Sequence, residues 1–587
     1  MNKNNTLKNI LITLSLSLLV LTLVSSSPIM YGQTTTNTQN SNNNSLPNFL
    51  VIVSDDLGFS DIGVFGSEIS TPNLDKLANE GKILTNYHTM PVCSPARVSL
   101  LTGVDNHIGG IGTMYENIAP NQVGKPGYET YINNKVVTIS ELLKDAGYNT
   151  LMSGKWHLSG KGYKNGTTPY DRGFEESFSL LESGAQHFNS GEYLVGNPVT
   201  FVQNGKIVQR PDNTTYSNEL YTNIMLESIK KFKDDRKPLF MYLSFQVAHS
   251  PFQAPQDYIK KYEGVYNVGY DIIREKRFDK QKELSIWSSD IQLPTRLPID
   301  KPWSELTSDE QKYRTKVLQA HAAMIDNMDY NIGKVIDYLK EIGKYDNTLI
   351  LFTSDNGSSE PVEMKNAATS GATIEQTQQF FNKFNNTITN IGNPDSLVNY
   401  GPWGTAPSVS PFSYFKTTQG EGGTRPPFVI KEPISVSSNN TQKENIVDSF
   451  VHVNDITPTI LEYAKVSQPG PSYNGNEVHP IMGKSIKAVL EGKTDKVYND
   501  DEPVAQEMFN NTAVYLGDWK AVKNTLLGDK QWKLFNITKD IGENNDLAKE
   551  HPEILQNMIS DYDKFAKEVG VIIPNSQAEA INIMSTD

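Results

Sequence analysis

Four short apolar runs, each ending abruptly in polar or charged residues, constrain the fold of this chain more than any other feature. The first begins at Asn48, is rich in β-branched residues, and gives way to Asp55 and Asp56. Apolar residues at nearly every position of so short a run are typical of a strand buried on both faces, as in a parallel sheet. The other runs are 149–154, 239–245 and 348–353.

Segments with helical periodicity lie between these runs, at 73–79, 139–146, 220–232 and 313–342. Alternating strands and helices predict an α/β fold, with a large mixed, mostly parallel sheet flanked by helices. Ligands of such sheets bind beyond the carboxyl ends of the strands. We therefore expect the polar residues that follow the four runs to meet at one edge of the sheet.

The sequence pattern changes near residue 500. Short alternating segments, such as 513–522, predict a small antiparallel sheet, and 552–569 predicts a terminal helix. The Gly-Asp-Trp-Lys motif that ends at Lys520 is interpreted as structural. We predict a catalytic domain at 47–498 and a C-terminal subdomain at 499–587.

The N-terminal segment is predicted to lie outside this fold. Lys3 and Lys8 precede an apolar run at 10–24, and small polar residues follow, which is typical of an export signal at 1–32. An uncleaved anchor is the alternative, although the run is shorter than the ~20 residues of a spanning helix. The polar stretch at 33–46 predicts a disordered tether. We expect a secreted, periplasmic or cell-surface protein whose mature chain has no stable membrane span.

Charge and cysteine content narrow the function further. The formal net charge of −14 makes nucleic acid an unsuitable partner, so any anionic substrate needs a local basic pocket.

The single cysteine, Cys93, cannot form an internal disulfide. It lies at the N-terminus of a predicted short helix that carries Arg97 one turn along, and a helix N-terminus favours an anion. A small buried hydrophobe, a thiolate nucleophile and a modified residue remain alternatives.

Hard oxygen ligands follow two of the four runs. Asp55 and Asp56 follow the first, and Asp355 and Asn356 follow the last. Such ligands suit a cation like Ca²⁺, although adjacent aspartates after a strand also serve as ordinary turn residues.

Basic residues follow the other two runs. Lys155 and His157 follow the second, and they would point the same way if the strand continued. An exposed lysine and a core histidine are the alternative interpretation of that pair. His249 follows the third run. The remaining histidines, such as His107, form no ligand-spaced cluster and receive no role.

The segment from Cys93 has the pattern C-x-P-x-R followed by Leu-Leu-Thr-Gly, which resembles the signature of the sulfatase family. The resemblance extends over nearly the whole mature chain. It is greatest to Pseudomonas-type arylsulfatases, which share the appearance of 47–58. It implies the fold of the alkaline phosphatase superfamily and the hydrolysis of sulfate monoesters to an alcohol or phenol and inorganic sulfate. The substrate would be a small-molecule or carbohydrate sulfate ester.

The same resemblance implies a modified nucleophile and a metal ion. A formylglycine-generating enzyme would oxidise Cys93 to formylglycine (3-oxoalanine), whose gem-diol attacks sulfur and forms a sulfate hemiacetal. One Ca²⁺, or alternatively Mg²⁺ or Mn²⁺, would be held by residue 93 together with Asp55, Asp56, Asp355 and Asn356.

Six residues receive catalytic roles by this resemblance: Cys93, Arg97, Lys155, His157, His249 and Lys416. Lys155 and Arg97 would stabilise the sulfate, and His157 would take the proton of the gem-diol. His249 and Lys416 would contact the bridging oxygen and protonate the leaving group. The segment around Lys416 departs from the family pattern at Glu421 and Thr424.

Several other functions remain open. A phosphonate monoester or phosphodiester hydrolase would use the same fold and the same modified cysteine. A catalytically silent module could instead capture anionic sugars or a protein partner. A two-zinc phosphatase would place a histidine beside the distal aspartate, so Asn356 argues for one hard cation. A thiolate hydrolase would need no cluster of oxygen ligands.

Overall fold

The computed structural model describes residues 46–164, 166–295, 301–361, 372–401, 404–434 and 445–575. The predicted export signal at 1–32, and the predicted tether except for Leu46, lie outside the described residues. The described residues from Leu46 on form one compact unit. Within the described ranges, the helices are all too short or too polar to cross a membrane.

Strands and helices alternate along most of the described chain. The strands are β1 Asn48–Ser54, β2 Lys82–Leu84, β3 Tyr87–His88, β4 Asn149–Lys155, β5 Glu176–Leu180, β6 Phe201–Gln203, β7 Lys206–Val208, β8 Leu239–Ser244, β9 Thr348–Ser354, β10 Phe428–Lys431, β11 Ile446–Val447, β12 Val451–His452, β13 Ser472–Tyr473, β14 Asn476–Glu477, β15 Val504–Met508, β16 Asn511–Leu516, β17 Trp519–Lys523 and β18 Lys533–Asn536. The α-helices are α1 Pro72–Glu80, α2 Cys93–Thr102, α3 Ile139–Asp145, α4 Ser217–Lys231, α5 Gln256–Lys261, α6 Tyr270–Glu283, α7 Ser308–Glu341, α8 Ile374–Phe381, α9 Ala406–Val409, α10 Glu421–Thr424, α11 Ile456–Ala464, α12 Lys487–Leu490 and α13 Pro552–Val569.

Within the described part of the chain, the large sheet has ten strands in the order β11-β2-β10-β9-β1-β8-β4-β5-β6-β7. Its central strands, from β9 to β5, are mutually parallel. Towards the two edges, β10 and β6 pair antiparallel with their neighbours. The predicted mixed, mostly parallel sheet is confirmed, and the four apolar runs form the four adjacent strands β9, β1, β8 and β4.

Alternate residues of β1 belong to two separate hydrophobic cores. Leu50 and Ile52 pack with α1, α4 and α7 on one face of the sheet. Phe49, Val51 and Val53 pack with α2, α3 and α11 on the other face. Because helices cover both faces, every residue of β1 is buried, and this is why the five residues between Asn48 and Ser54 are all apolar.

The C-terminal sheet is antiparallel, in the order β15-β16-β17-β18. One face packs against α13 through Val514, Leu534 and Met558. The other face packs against Phe450 of the main body. The predicted small sheet and terminal helix are confirmed. The domain boundary between 498 and 499 stays a prediction, because both sheets belong to one compact unit.

Predicted and observed helices differ mainly at their starts. The longest helix begins at Ser308, before the predicted start at 313. Thr307 caps it, accepting the N–H of Glu310 and donating its own N–H to the Glu310 carboxylate. Such a capping box is polar, so apolar periodicity does not reveal it.

Candidate active site

The carboxyl ends of β9, β1, β8 and β4 lie side by side, and the predicted site residues meet there. Close approach of β4 and β8 depends on Gly154, which has a φ of +120°. A Cβ at this position would lie 1.8 Å from the Ser244 carbonyl oxygen. Only glycine allows the strands to approach so closely just before Lys155.

Cys93 is the first residue of α2, as predicted, and it is buried. Its Sγ lies 3.4 Å from Oδ1 of Asp55 and 3.8 Å from Oδ1 of Asp56. Burial and the charge of Asp355 raise the pKa of the Cys93 thiol well above its usual range. The protein groups alone therefore do not produce the low-pKa thiolate that a cysteine nucleophile requires.

A cluster of buried oxygen atoms surrounds Cys93. One ligand atom each from Asp55, Asp56, Cys93 and Asp355 lies within 4.8 Å of the others. Asn356 donates from Nδ2 to Oδ1 of Asp56 at 2.7 Å, while its own Oδ1 is buried and has no hydrogen-bond partner among the described residues. Three carboxylates and a free amide oxygen form a donor set that suits a hard cation such as Ca²⁺.

Two cations lie on the β4 side of this cluster. The Lys155 ammonium is 2.5 Å from Oδ2 of Asp55. Arg97 binds Oδ2 of Asp355 through Nε at 2.8 Å and Nη2 at 2.7 Å. Arg97 also donates to Oγ of Ser244 at 2.6 Å. The guanidinium is fully buried among these partners, so it holds Asp355 in place.

Lys416 and His249 meet at Asp56. Nζ of Lys416 is 2.8 Å from Oδ1 of Asp56, and Nε2 of His249 is 3.7 Å from Oδ2. Burial lowers the pKa of His249 to about 3, and its Nδ1 donates to the Ser250 carbonyl at 2.7 Å. For Lys416, burial opposes ionisation, but Asp56 raises the pKa well above its usual range. Lys416 is therefore the protonated member of the pair at neutral pH.

His157 does not continue the strand, because β4 ends at Lys155 and His157 has a left-handed φ of 58°. The condition for both side chains to point the same way is therefore not met. Nε2 of His157 lies 3.6 Å from Oε1 of Glu116 instead. Burial lowers the pKa of His157 to about 4, so the ring is neutral at pH 7.

Glu116 and Tyr193 are site residues that sequence reasoning missed. Burial opposes ionisation of Glu116, but His157 lowers its pKa, so its carboxylate is ionised. Tyr193 packs edge-on against His249 with ring centroids 5.1 Å apart, and its hydroxyl lies 2.9 Å from Oγ of Ser183. Ser183, the partner of Tyr193, follows β5, which is adjacent to β4. The expectation that site residues follow the ends of parallel strands could therefore have indicated Ser183. Glu116 follows no strand and has no such signal.

The sulfatase family model matches residues 47–466 of this chain. The chain belongs to the sulfatase family. An uncharacterized sulfatase of Schizosaccharomyces pombe is 38% identical over 553 residues, covering 92% of this chain and 96% of that protein. An arylsulfatase of Klebsiella aerogenes is 39% identical over 452 residues, covering 76% of this chain and 92% of that protein.

Solved structures resemble this sulfatase in fold. Ps i-CgsB in complex with k-i-k-neocarrahexaose has a TM-score of 0.61 at 22% identity, covering 91% of this chain and 96% of that chain. The PsFucS1 sulfatase from Pseudoalteromonas sp. has a TM-score of 0.58 at 20% identity, covering 92% of each chain. Likeness at this identity concerns the fold, and it confirms the expected alkaline-phosphatase-like architecture.

Proposed function

We propose that this member of the sulfatase family hydrolyses sulfate monoesters at the site around residue 93. One observation carries the proposal: the signature cysteine, buried oxygen ligands and three cations meet in a single cluster at the sheet edge. Sulfate ester cleavage needs a nucleophile, positive charge around the sulfuryl oxygens and support for the leaving alcohol. Each requirement has a candidate residue within this cluster.

The residues present suit both a cation and a modified cysteine. Asp55, Asp56, Asp355, Asn356 and residue 93 would hold Ca²⁺, or alternatively Mg²⁺ or Mn²⁺, which would polarise a sulfate oxygen as a Lewis acid. Formylglycine made from Cys93 by a formylglycine-generating enzyme would supply a gem-diol, with one hydroxyl for attack and a second for sulfate release. The carboxylates of Asp55, Asp56 and Asp355 are balanced in charge by the cations of Arg97, Lys155 and Lys416, and the ionised Glu116 carboxylate lies beyond them beside His157. A divalent cation would therefore add the positive charge that a sulfate anion needs.

Residues around the nucleophile carry out the proton transfers. Asp355, held by Arg97, accepts the proton of the attacking hydroxyl. Burial and Asp55 raise the pKa of Asp355, which favours a role as a proton acceptor. His157 is neutral and accepts the proton of the second hydroxyl, and the nearby Glu116 carboxylate stabilises the resulting imidazolium.

The basic side chains of the cluster stabilise the charge that develops during the reaction. Lys155 and Arg97 stabilise negative charge on the sulfuryl oxygens. Lys416 is protonated at neutral pH, so it supplies positive charge and a proton to the departing oxygen. His249 is neutral there and contacts the same oxygen.

An aryl, alkyl or carbohydrate sulfate would each satisfy this chemistry. We propose an arylsulfatase-type activity because the Klebsiella aerogenes relative of 39% identity is an arylsulfatase. We also propose export to the periplasm, the cell surface or the medium, on the basis of the N-terminal pattern of basic, apolar and small residues at 1–32.

The test measures inorganic sulfate released from para-nitrophenyl sulfate by the full chain, produced together with a formylglycine-generating enzyme. We expect turnover by the wild type, none by Cys93→Ala, and normal turnover by the matched control Ser94→Ala. Turnover that survives in Cys93→Ala would overturn the proposed nucleophile. A parallel assay with a phosphonate monoester tests the alternative, and strong preference for the phosphonate would contradict the proposed substrate class.

A further inference from the structure

The backbone around Lys416 needs support from its surroundings. Tyr414 and Thr417 have φ values of 71° and 75°, in the left-handed region that residues with side chains rarely adopt. Such conformations persist only where neighbouring structure holds them. The groups that hold this segment therefore determine where the Lys416 ammonium lies relative to Asp56.

A buried ion cluster anchors the segment to the small C-terminal sheet. Lys520 on β17 has a fully buried side chain, and its Nζ lies 2.7 Å from Glu421 and 2.8 Å from Glu543. The second carboxylate oxygen of Glu421, the first residue of α10, lies 3.0 Å from both His88 and Arg425. We call these five residues the Lys520 cluster. Because an unpaired charge is strongly unfavourable when buried, the cluster tolerates little displacement of Glu421.

The backbone transmits this anchor to Lys416. The Gly422 N–H donates to the Ser413 carbonyl at 2.8 Å, which ties the start of α10 to the chain just before Lys416. A Cβ on Gly422 would lie 2.3 Å from the Tyr414 carbonyl oxygen, so the two passes of the chain are in direct contact. Displacement of Glu421 would therefore displace Lys416.

The same segment touches the rest of the active site. The Lys416 N–H donates to the Ser358 carbonyl at 2.8 Å, just beyond the proposed metal ligand Asn356. The Thr417 N–H donates to the Pro91 carbonyl at 2.8 Å, in the loop that enters α2. The segment around Lys416 thus contacts the loop that carries the proposed nucleophile and the strand end that carries the proposed metal ligands. It is also anchored to the C-terminal sheet through Glu421.

We infer that Lys520 is a positioning residue. By anchoring Glu421 to the C-terminal sheet, it fixes the segment that places Lys416 beside the departing oxygen. The inference rests on the proposed function, in which Lys416 stabilises the leaving group. It gives a role to the Gly-Asp-Trp-Lys motif and to Glu421, both of which the proposed chemistry leaves unused. It also makes the C-terminal sheet part of the support for catalysis.

The experiment compares Lys520→Met with the matched control Lys533→Met. Lys533 is on the adjacent strand β18 and pairs with Asp529 at 2.9 Å, but its side chain is 33% exposed. Each variant is assayed with para-nitrophenyl sulfate, whose phenolate leaves readily, and with phenyl sulfate, whose more basic phenolate needs more assistance. Positioned proton donors contribute about 10²- to 10⁴-fold, so we expect kcat/KM of Lys520→Met to fall at least about tenfold further for phenyl sulfate. Lys533→Met should match the wild type with both esters.

This ratio separates positioning from folding, because a smaller folded fraction lowers both rates equally. Equal losses with the two esters, or no loss, in folded Lys520→Met would overturn the inference. If Lys520→Met does not fold, Glu421→Gln, which keeps the shape and an acceptor oxygen, is subject to the same criterion. A wild type that cleaves no sulfate ester would instead overturn the proposed function, and this inference with it.

Discussion

His107 joins the main body to the C-terminal sheet through buried ion pairs, and its replacement should destabilise the protein in a pH-dependent way. Nδ1 lies 2.9 Å from Asp105, and Nε2 lies 3.1 Å from Glu507 on β15. Burial alone would lower the pKa of His107, but the two carboxylates outweigh burial and raise the pKa to about 9.

The contribution of His107 to the free energy of unfolding follows from the difference between its pKa in the folded and in the unfolded protein. A rise from 6.5 to about 9 is worth about 3 kcal/mol, since one pKa unit corresponds to about 1.4 kcal/mol. Folding favours the imidazolium, so this contribution is fully present below pH 6.5 and is lost as the pH rises through about 9. For a unit of this size, about 3 kcal/mol shifts the melting temperature by roughly 3 °C.

The assay is the melting temperature of the wild type and His107→Gln, measured by calorimetry from about pH 6 to about pH 10. Glutamine keeps an N–H donor but cannot ionise. We expect the variant to melt roughly 3 °C lower at the acidic end and to match the wild type at the alkaline end. The control, His479→Gln at a partly exposed position, should melt like the wild type throughout. A difference that stays constant across this range would refute the ionised His107.

Three further predictions concern the active site. Glu116→Gln should lower kcat about tenfold with little change in KM, because Glu116 lies 3.6 Å from His157; an unchanged kcat in steady-state assays would contradict this role. Chelation should abolish turnover, and Ca²⁺ should restore it. The Asn356→Ala variant should need more Ca²⁺ for half-maximal activity. Full activity in the presence of a chelator would contradict a required cation. Arg97→Ala should destabilise the fold by about 3–5 kcal/mol, since it leaves the buried Asp355 charge without its partner; an unchanged denaturation midpoint would argue against that pair.

Sequence reasoning identified the central strands because their signal is local. In a strand buried on both faces, such as β1, the residues facing either core are apolar, so the strand can be located from the local sequence. The position of the site followed from one general rule, since parallel strands bring Asp55, Lys155, His249 and Asp355 to the same edge.

Features that depend on contacts between distant segments could not be predicted. Glu116 lies in the short 3-10 helix Tyr115–Asn117, and only the tertiary fold brings it close to His157. The left-handed backbone at His157 depends on its surroundings, since residue type alone does not specify it. In the Lys520 cluster, Lys520 and Glu421 are separated by 99 positions, and neither carries a local signal of its partner.

The most direct test of the central claim is mass spectrometry of the tryptic peptide that ends at Arg97, taken from enzyme whose sulfatase turnover has been measured. We predict that residue 93 is present as formylglycine, in a fraction that rises in proportion to the specific activity of the preparation. Fully active enzyme in which residue 93 is found only as an unmodified cysteine would contradict the account.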